Sequence, residues 1–490
     1  MIYSISWGYL MGSAKTTTVV KGVIWSFAEK VSAQLVSFLV SVVLARILSP
    51  DDYGLVSMIL VFITISDVFV NSGFTSALVQ RKNASTLDFS TVYYSSQVLS
   101  ILIYLIIFIS SPLIAAFYSR PELALLLRVF ALKIPIGVLN SVQHAYVSRT
   151  MQFKKFFYSS LVGVIVSGFV GICLAVFGFG VWALIAQYIS LTIIDTAVLF
   201  FTIKWHPTFE YSITEAISLM SYGWKILLSD LSGTFFGQLR SLVIGKFYTS
   251  ADLAFYDKGT QIPSLVSNNL GNAVTSVLFP AMSNVSDDLP GVKSLCRKAM
   301  SMMAFVISPV MYGIAATADL LIVIIFTEKW AASIPLIKVL AIAYSFGTIG
   351  LVPLQAIKAI GRSDIVLRLE FVKKPVFVML LIIGVRFGLL ATAATMLIYE
   401  IYGFLVNSYE LKKHLNYSLR EQLADVIPSM LMSILMYLVV ANVSLYIPSM
   451  GLLIIKMLIG IIAYIVLSIA FKSQSFLSLV SLINNFRNGR

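Results

Sequence analysis

The chain has 490 residues, a hydrophobic content of 59%, a charged content of only 12% and a mean hydropathy of +0.92. Soluble domains carry about 25% charged residues, so this composition excludes a soluble protein and predicts an all-α, polytopic membrane protein. The net charge of +13 is what Lys- and Arg-rich cytoplasmic loops produce, and nucleic-acid binding is not expected.

Residues 1–21 precede the first apolar segment and are expected to form a cytoplasmic N-terminal tail. They lack a basic region followed by a clean apolar core, so no cleaved signal peptide is predicted. Met11 is an alternative start of the chain.

Fourteen segments approach the roughly 20 mostly apolar residues that a transmembrane helix needs. Several contain Pro, Gly or charged residues in their middles, which is tolerated where neighbouring helices or a water-filled cavity satisfy the backbone. The predicted segments are 22–48, 54–80, 90–118, 122–148, 153–177, 181–204, 216–248, 254–283, 294–327, 331–359, 364–387, 388–411, 423–446 and 449–471.

A row of small residues in the first segment returns 200 residues later. Each row has one member at every fourth position and is followed by a basic residue and a short turn. The turn at 49–52 reads Ser-Pro-Asp-Asp, and the turn at 249–252 reads Thr-Ser-Ala-Asp. Self-similarity at a fixed offset predicts two copies of one half. The two rows are Ala33, Ser37, Ser41 and Ala45, and Gly233, Gly237, Ser241 and Gly245.

Rows of this kind let helix backbones approach closely in lipid. We expect them mainly to pack helices, and a sliding surface used in transport is the alternative. Another such row lies in the fifth segment, at Gly163, Ser167, Gly171 and Ala175.

The repeat divides the chain into an N-lobe at 22–204 and a C-lobe at 216–411, joined by a cytoplasmic linker at 205–215. Each lobe has six predicted helices, an even number, so the two are parallel repeats related by an axis along the membrane normal. Two extra helices follow at 423–471, and a cytoplasmic tail is expected at 472–490.

Lys and Arg are concentrated in alternate loops, which predicts the orientation. With the N-terminus in the cytoplasm, most basic loop residues fall inside, and few fall in the outer loops. Both termini are therefore expected in the cytoplasm.

Charged side chains within the spans are the best candidates for function, because burying them in lipid is costly. We expect five cations to line a substrate cavity and to hold phosphate, which Arg binds bidentately and Lys binds as a point charge. Lys30 and Arg240 are favoured because each lies on the first helix of its half. For Arg128, snorkelling to the outer surface is equally consistent. The candidates are Lys30, Arg240, Lys133, Arg128 and Lys373.

Four acidic residues are candidates for binding a coupling proton or sodium ion, because burial favours the protonated form of a carboxyl group. They are Glu29, Asp67, Asp195 and Asp230. Ion pairs that lock helices together are the alternative. Glu370, for example, lies three and four residues before Lys373 and Lys374.

Catalytic and cofactor motifs are missing from the sequence. It contains no GxxxxGK[ST] loop for ATP and no His/Cys cluster with metal-ligand spacing. Cys173 and Cys296 lie far apart, so neither a disulfide nor a metal site is predicted. The expected protein is a transporter without a cofactor, apart from the coupling ion.

Three stretches carry a family resemblance: VVKGVIWSFAEKVSAQLVSFLVSVVLARILSPDDYGLVSM from Val19, GFTSALVQRKN from Gly73, and LFPAMSN from Leu278. They resemble Wzx-type polysaccharide flippases of the multidrug/oligosaccharidyl-lipid/polysaccharide superfamily. The likeness is closest to exporters of lipopolysaccharide, capsule and teichuronic acid. It is sharp in the first eighty residues and diffuse after about residue 365.

The resemblance implies two six-helix lobes forming a V, with two extra helices. It implies a flippase of the bacterial inner membrane that moves undecaprenyl-pyrophosphate-linked oligosaccharides by alternating access. Expected partners are the lipid-linked substrate, the bilayer, a polysaccharide polymerase and glycosyltransferases, and the protein is expected to be a monomer. The resemblance provides no universal site motif.

Two other functions remain open. A cation-coupled exporter of small molecules from the same superfamily would rely on acidic residues in a compact pocket. An integral-membrane polymerase or ligase would need large outer loops that present catalytic groups, and the outer loops here are short.

Overall fold

A computed structural model describes residues 14–81, 84–150, 152–443 and 450–487. Across these ranges the regular structure is entirely helical, with no strand. The all-α fold class predicted from the composition is therefore confirmed. The first helix begins at Ala14, within the segment predicted as a tail, and Met11 lies outside the described residues.

The first of two compact units ends at Leu253. Its helices are α1 (Ala14–Ile47), α2 (Pro50–Asn71), α3 (Gly73–Gln80), α4 (Thr86–Tyr118), α5 (Leu123–Phe130), α6 (Lys133–Thr150), α7 (Phe153–Val176), α8 (Val181–Thr202) and α9 (Ile213–Phe247).

The second unit begins at Ala254, within α10 (Ser250–Ser283). Two short 3₁₀ helices, Glu328–Ser333 and Val385–Phe387, join its longer elements. The remaining helices are α11 (Leu289–Phe326), α12 (Ile334–Ile349), α13 (Leu351–Ala359), α14 (Ser363–Gly384), α15 (Leu389–Leu415), α16 (Leu419–Ala441), α17 (Met450–Ala470) and α18 (Gln474–Arg487). The last of these lies in the segment predicted as a tail.

Within the described part of the chain, eleven helical segments are long and apolar enough to cross a membrane. The predicted spans 54–80 and 122–148 are each interrupted, giving α2 with α3 and α5 with α6. Three predicted spans correspond to α9, α10 and α14, which are long but fall outside the set of eleven. The protein is a multi-pass membrane protein.

Helix α9 packs along the first unit, against α2, α3 and α4. A Cβ atom added to Gly223 of α9 would lie 2.4 Å from the carbonyl oxygen of Gly73 in α3, so the two backbones meet directly. Near the start of α9, Glu215 accepts a 2.6 Å hydrogen bond from Arg81. The contacts thus place in the first unit a helix that the repeat assigned to the second lobe.

The recurring turn forms the same helix cap in both copies. Ser49 and Asp52 exchange side-chain to backbone hydrogen bonds at the start of α2, at 3.0 and 3.2 Å. Thr249 and Asp252 do the same at the start of α10, both at 3.1 Å. Each is a capping box, which satisfies otherwise unpaired amide groups at a helix start. The structure thus confirms that the turn recurs at an offset of 200 residues.

The two capped turns also meet. Ser250 donates a hydrogen bond to Asp51, and Arg120 donates to Ser250 Oγ at 3.0 Å and to Asp51 Oδ1 at 3.3 Å. A Cβ atom on Gly54 would overlap the carbonyl of Ser250. The close approach therefore requires glycine at position 54.

The two repeated rows of small residues pack mainly at one end. Ala45 is fully buried, and a Cβ atom on Gly245 would lie 3.0 Å from the Tyr118 ring. A Cβ atom on Gly233 or Gly237 would instead meet nothing within 4 Å. The packing role predicted for the second row is therefore wrong at its first two members, Gly233 and Gly237. The row in α7 does pack, with a Cβ atom on Gly171 lying 3.0 Å from Gln187 of α8.

Candidate functional site

A polar cavity of about 540 Å³ lies in the first unit. Helices α2, α6 and α8 supply its charged side chains, and α1 and α7 also contribute to its wall. Its charged and imidazole-bearing lining residues are Asp67, Lys133, His144 and Asp195. Charged groups within spanning segments usually face a cavity or a partner, so this cavity is the principal candidate site.

Lys133 and Asp67 form an ion pair across the cavity, with 2.8 Å between Nζ and Oδ2. Lys133 is the first residue of α6, after the break that separates it from α5. Asp67 lies one turn before the end of α2, close to the break before α3. Both side chains retain partial exposure, at 22% for Lys133 and 33% for Asp67. The helix breaks thus place opposite charges where solvent reaches them.

Asp195 of α8 accepts hydrogen bonds from neighbouring helices. Asn140 of α6 donates to its Oδ2 at 2.7 Å, and Ser159 of α7 donates to its other oxygen. His144 Nε2 lies 3.2 Å from Oδ2. Asn140 and His144 are four residues apart on α6 and therefore share one face of that helix. The arrangement holds the carboxylate in a fixed position on the wall of the cavity.

The His144 ring is itself held in place. It stacks on Phe156 of α7, with ring centroids 4.7 Å apart. The stacking fixes the imidazole beside the Asp195 carboxylate, with His144 Nε2 3.2 Å from Oδ2.

Glu29 of α1 is linked to the same cavity. Its Oε1 accepts a 2.9 Å hydrogen bond from Ser160, which lines the cavity. Among the described residues here, Asp67, Asp195 and Lys133 line the cavity, and Glu29 adjoins it through Ser160. These residues place three carboxyl groups and one ammonium group at or beside the cavity.

The other acidic candidate, Asp230, is exposed on α9 and does not line this cavity. The structure thus brings together Glu29, Asp67 and Asp195 of the four acidic candidates and leaves Asp230 apart.

The two favoured cations occupy different settings. Lys30 is exposed on α1, whereas Arg240 is buried in the first unit with 6% of its surface accessible. Neither is among the residues that line the polar cavity.

Arg128 packs on the preceding long helix. Its Nε donates to Ser111 Oγ at 2.8 Å, and its guanidinium lies 4.4 Å from the Phe108 ring centroid. These contacts hold the Arg128 side chain against α4.

Lys373 forms the ion pair with Glu370 that the sequence allowed, at 3.3 Å, and its side chain is 9% exposed. In α12, Lys338 pairs with Asp319 at 3.0 Å in a more exposed setting. Both pairs lie in the second unit.

The second unit has its own cavity, of about 530 Å³, between α10, α11, α16 and α17. Its walls are almost wholly apolar, and Lys456 of α17 is its one ionisable lining residue apart from Tyr464. Lys456 is 9% exposed and forms no ion pair with any described residue. A cation buried in an apolar cavity is costly, and an anionic group bound there would lower that cost.

Reasoning from sequence missed the partners of Asp195, namely Asn140, His144 and Ser159, because single polar residues on different helices give no local signal. Lys456 lies in an apolar segment, and its charge does mark it in the sequence as an intramembrane cation, although not as one of the five cavity candidates. No group of three or more His, Cys, Asp or Glu residues suited to a metal ion occurs in the described ranges.

Comparison with known proteins gives consistent matches. A family model described as "Polysaccharide biosynthesis protein" matches residues 43–335. The chain is 24% identical to the succinoglycan biosynthesis transport protein ExoT of Rhizobium meliloti, covering 71% of this chain and 70% of that protein. It is 25% identical to the teichuronic acid biosynthesis protein TuaB of Bacillus subtilis, covering 78% and 79%. It is 23% identical to the lipopolysaccharide biosynthesis protein WzxC of Escherichia coli, covering 74% and 75%.

Two solved structures share the fold. The lipid II flippase MurJ, in an inward closed conformation, superimposes with a TM-score of 0.72 at 17% identity, covering 92% of this chain and 98% of MurJ. An inward-facing multidrug resistance transporter of the MATE family superimposes with a TM-score of 0.61 at 16% identity, covering 80% and 98%. At these identities the likeness describes the fold alone.

Proposed function

The chain belongs to the polysaccharide biosynthesis protein family, and on this basis we propose that it is a flippase for lipid-linked oligosaccharides. The resemblance to polysaccharide exporters read from the motifs is confirmed by that membership. The proposed substrate is an oligosaccharide repeat unit on undecaprenyl pyrophosphate, moved across the bacterial inner membrane by alternating access. The observation that carries the proposal is the family match, which covers well over half of the chain.

The polar cavity supports coupling of this movement to a cation. Glu29, Asp67 and Asp195 provide more negative charge than Lys133 neutralises, so a proton or a sodium ion would bind there. We propose Asp195 as the central acceptor, since three side chains fix its carboxylate.

The ion pair of Lys133 with Asp67 would couple binding of the cation to binding of the substrate. A proton or sodium ion on Asp67 weakens its hold on the ammonium, which frees Lys133 to bind a phosphate oxygen. The pair would thus exchange one partner for another within the transport cycle. An ion can shift such an equilibrium only by binding one state more tightly than the other.

The apolar cavity of the second unit supports an amphiphilic substrate. Its walls suit a hydrocarbon chain, and the buried ammonium of Lys456 suits a phosphate at the end of that chain. The four other cations that the sequence proposed stay proposals, with Lys30 the most accessible of them. They are Lys30, Arg240, Arg128 and Lys373.

We propose that both termini are cytoplasmic, because the basic loops then face inward. Glycosyltransferases that build the repeat unit and a polymerase that uses it are the proposed functional neighbours, and the protein is proposed to act as a monomer.

Transport can be tested with purified protein in vesicles that contain a fluorescent lipid-linked oligosaccharide. A membrane-impermeant glycosidase or quencher added outside reports how fast the glycan changes leaflet. The proposal requires faster movement than in empty vesicles. Movement at the rate of empty vesicles, with correctly folded protein present, would overturn it.

A small-molecule exporter is the second candidate, and the acidic character of the first cavity favours it. A deletion strain separates the two functions. Loss of surface glycan with unchanged drug resistance supports the flippase, whereas altered drug resistance with intact glycan supports the exporter.

A further inference from the structure

The first unit contains a second cavity, of about 370 Å³, that is distinct from the polar one. It lies between α4, α6, α8 and the segment 203–207 that follows α8. Tyr93 lies two turns into α4, Gln143 two turns before the end of α6, and Phe200 in the last turn of α8. The cavity therefore lies near the end of the unit at which α4 begins and α6 and α8 end, which is the cytoplasmic end in the proposed orientation.

Three polar atoms on the wall of this cavity have no hydrogen-bond partner among the described residues. They are Gln143 Oε1, Thr196 Oγ1 and Trp205 Nε1. Gln143 is 2% exposed and Trp205 is 8% exposed, so solvent does not satisfy them. An unsatisfied buried polar group is costly, and a ligand that forms hydrogen bonds with all three atoms would remove that cost.

The chemistry of these atoms constrains that ligand. The indole N–H of Trp205 only donates, the amide oxygen of Gln143 only accepts, and the hydroxyl of Thr196 can do either. A molecule that satisfies all three must offer both an acceptor and a donor.

The rim of the cavity is apolar and accessible. Phe201 is 84% exposed, and Phe200 and Ile193 are 45% and 47% exposed, all on the spanning helix α8. Exposed apolar side chains of a membrane-spanning helix contact the hydrocarbon of the bilayer. A ligand that enters past this rim therefore comes from the bilayer.

Basic residues lie beside the cavity. Lys204 and His206 are exposed on either side of the buried Trp205. The His206 ring lies 4.7 Å from the ring of Phe200, a lining residue, in an edge-on contact. At a membrane surface such residues attract anionic headgroups.

We propose that this cavity binds one phospholipid of the cytoplasmic leaflet whose headgroup carries both an anionic phosphate and free hydroxyls, as in phosphatidylglycerol. The phosphate accepts from Trp205 Nε1 and is attracted by Lys204. A headgroup hydroxyl donates to Gln143 Oε1, and an acyl chain passes over the apolar rim of α8. The site is separate from the polar cavity and does not depend on the proposed transport activity, and only the choice of the cytoplasmic leaflet rests on the proposed orientation.

The test is lipid binding by the purified, full-length protein, measured by native mass spectrometry and by thermal unfolding. The probes are phosphatidylglycerol, phosphatidylcholine and soluble glycerol phosphate. The expected result is one retained phosphatidylglycerol and a higher unfolding temperature with that lipid. Equal retention of phosphatidylcholine would overturn the headgroup assignment, and equal binding of glycerol phosphate would overturn the bilayer as the source.

Three variants locate the lipid. Trp205→Phe keeps an aromatic ring but removes the N–H, and Gln143→Leu removes the acceptor. Each is expected to weaken retention about fivefold to tenfold, as loss of one hydrogen bond to a charged or buried group does. Lys204→Ala changes an exposed side chain, and it should weaken binding about threefold, mainly at low salt.

Trp182→Phe is the matched control, because Trp182 lies at the other end of α8 and does not line the cavity. It should retain the lipid as the wild type does. If Lys204→Ala and Trp205→Phe both fold and bind phosphatidylglycerol as tightly as the wild type, water fills the cavity and the proposal fails.

Discussion

The ammonium of Lys133 lies 2.8 Å from the carboxylate of Asp67, and each residue stands next to an interruption in a spanning helix. Variants that remove or exchange these two charges can show whether the pair only holds helices together or also takes part in transport. Lys338 and Asp319 form a pair of similar length, 3.0 Å, in the second unit and provide the comparison.

Lys133→Met is expected to slow transport about tenfold or more, a change of about 1.4 kcal/mol in the barrier. The variant leaves Asp67 without its counter-charge and removes the proposed phosphate contact. Initial rates in the vesicle assay measure the effect. Lys338→Met should change the rate little, because its pair is more exposed and such pairs contribute little.

Exchanging the two charges, as Lys133→Asp with Asp67→Lys, distinguishes the two roles. The double variant should restore protein abundance while transport stays low, because the ammonium has moved to α2. Full recovery of transport would show that the pair only holds helices together.

Asp195→Asn is expected to abolish the response of transport to an imposed proton or sodium gradient. The amide is close in shape to the carboxylate but carries no charge for a cation. The ratio of transport rates with and without the gradient should fall to about one. An ion that does not bind one conformational state more tightly than the other cannot shift the equilibrium between them. Asp230→Asn on the exposed face of α9 is the control and should keep the wild-type ratio.

The contact of Gly223 with Gly73 predicts a difference between glycines of the same helix. Gly223→Ala should lower stability by about 1–3 kcal/mol, because its Cβ would overlap the Gly73 backbone. Gly233→Ala, in open space, should be neutral or stabilising by up to about 1 kcal/mol, since Ala favours helix more than Gly. Thermal unfolding in one detergent compares the two, and equal effects would contradict the packing described.

Lys456→Met should raise thermal stability by about 1–4 kcal/mol, because it replaces a buried cation that has no ion pair among the described residues with an apolar side chain of similar length. The same change should weaken binding of the lipid-linked substrate, whose phosphate loses its counter-charge. Thermal unfolding and substrate binding, measured in parallel on this variant, test whether stability rises while affinity falls. A variant that loses stability would show that the ammonium has a structural role instead.

Features that depend on residues close together in the chain could be predicted from the sequence. Each capping box lies within four consecutive residues, so the turns at 49–52 and 249–252 can be recognised directly in the sequence. The Glu370–Lys373 pair is of the same kind, because helical spacing brings the two side chains together.

Features that depend on several helices could not be predicted. Asp195 was singled out as an intramembrane acid, yet its partners lie on α6 and α7 and follow no periodicity. Arg240 was expected to face a cavity, but whether an intramembrane cation is exposed depends on the neighbours of its helix. The packing of α9 on α2, α3 and α4 includes a close approach at Gly223, which one glycine among 28 does not reveal in the sequence.

The two capping boxes have a consequence for the synthesis of the protein and its insertion into the bilayer. A cap closed within four residues can form as soon as those residues leave the ribosome, before any distant segment exists to support it. Each copy of the repeat therefore carries its own signal for where a helix begins. Insertion of the later copy into the bilayer can set its helix start correctly without waiting for the earlier copy to finish folding.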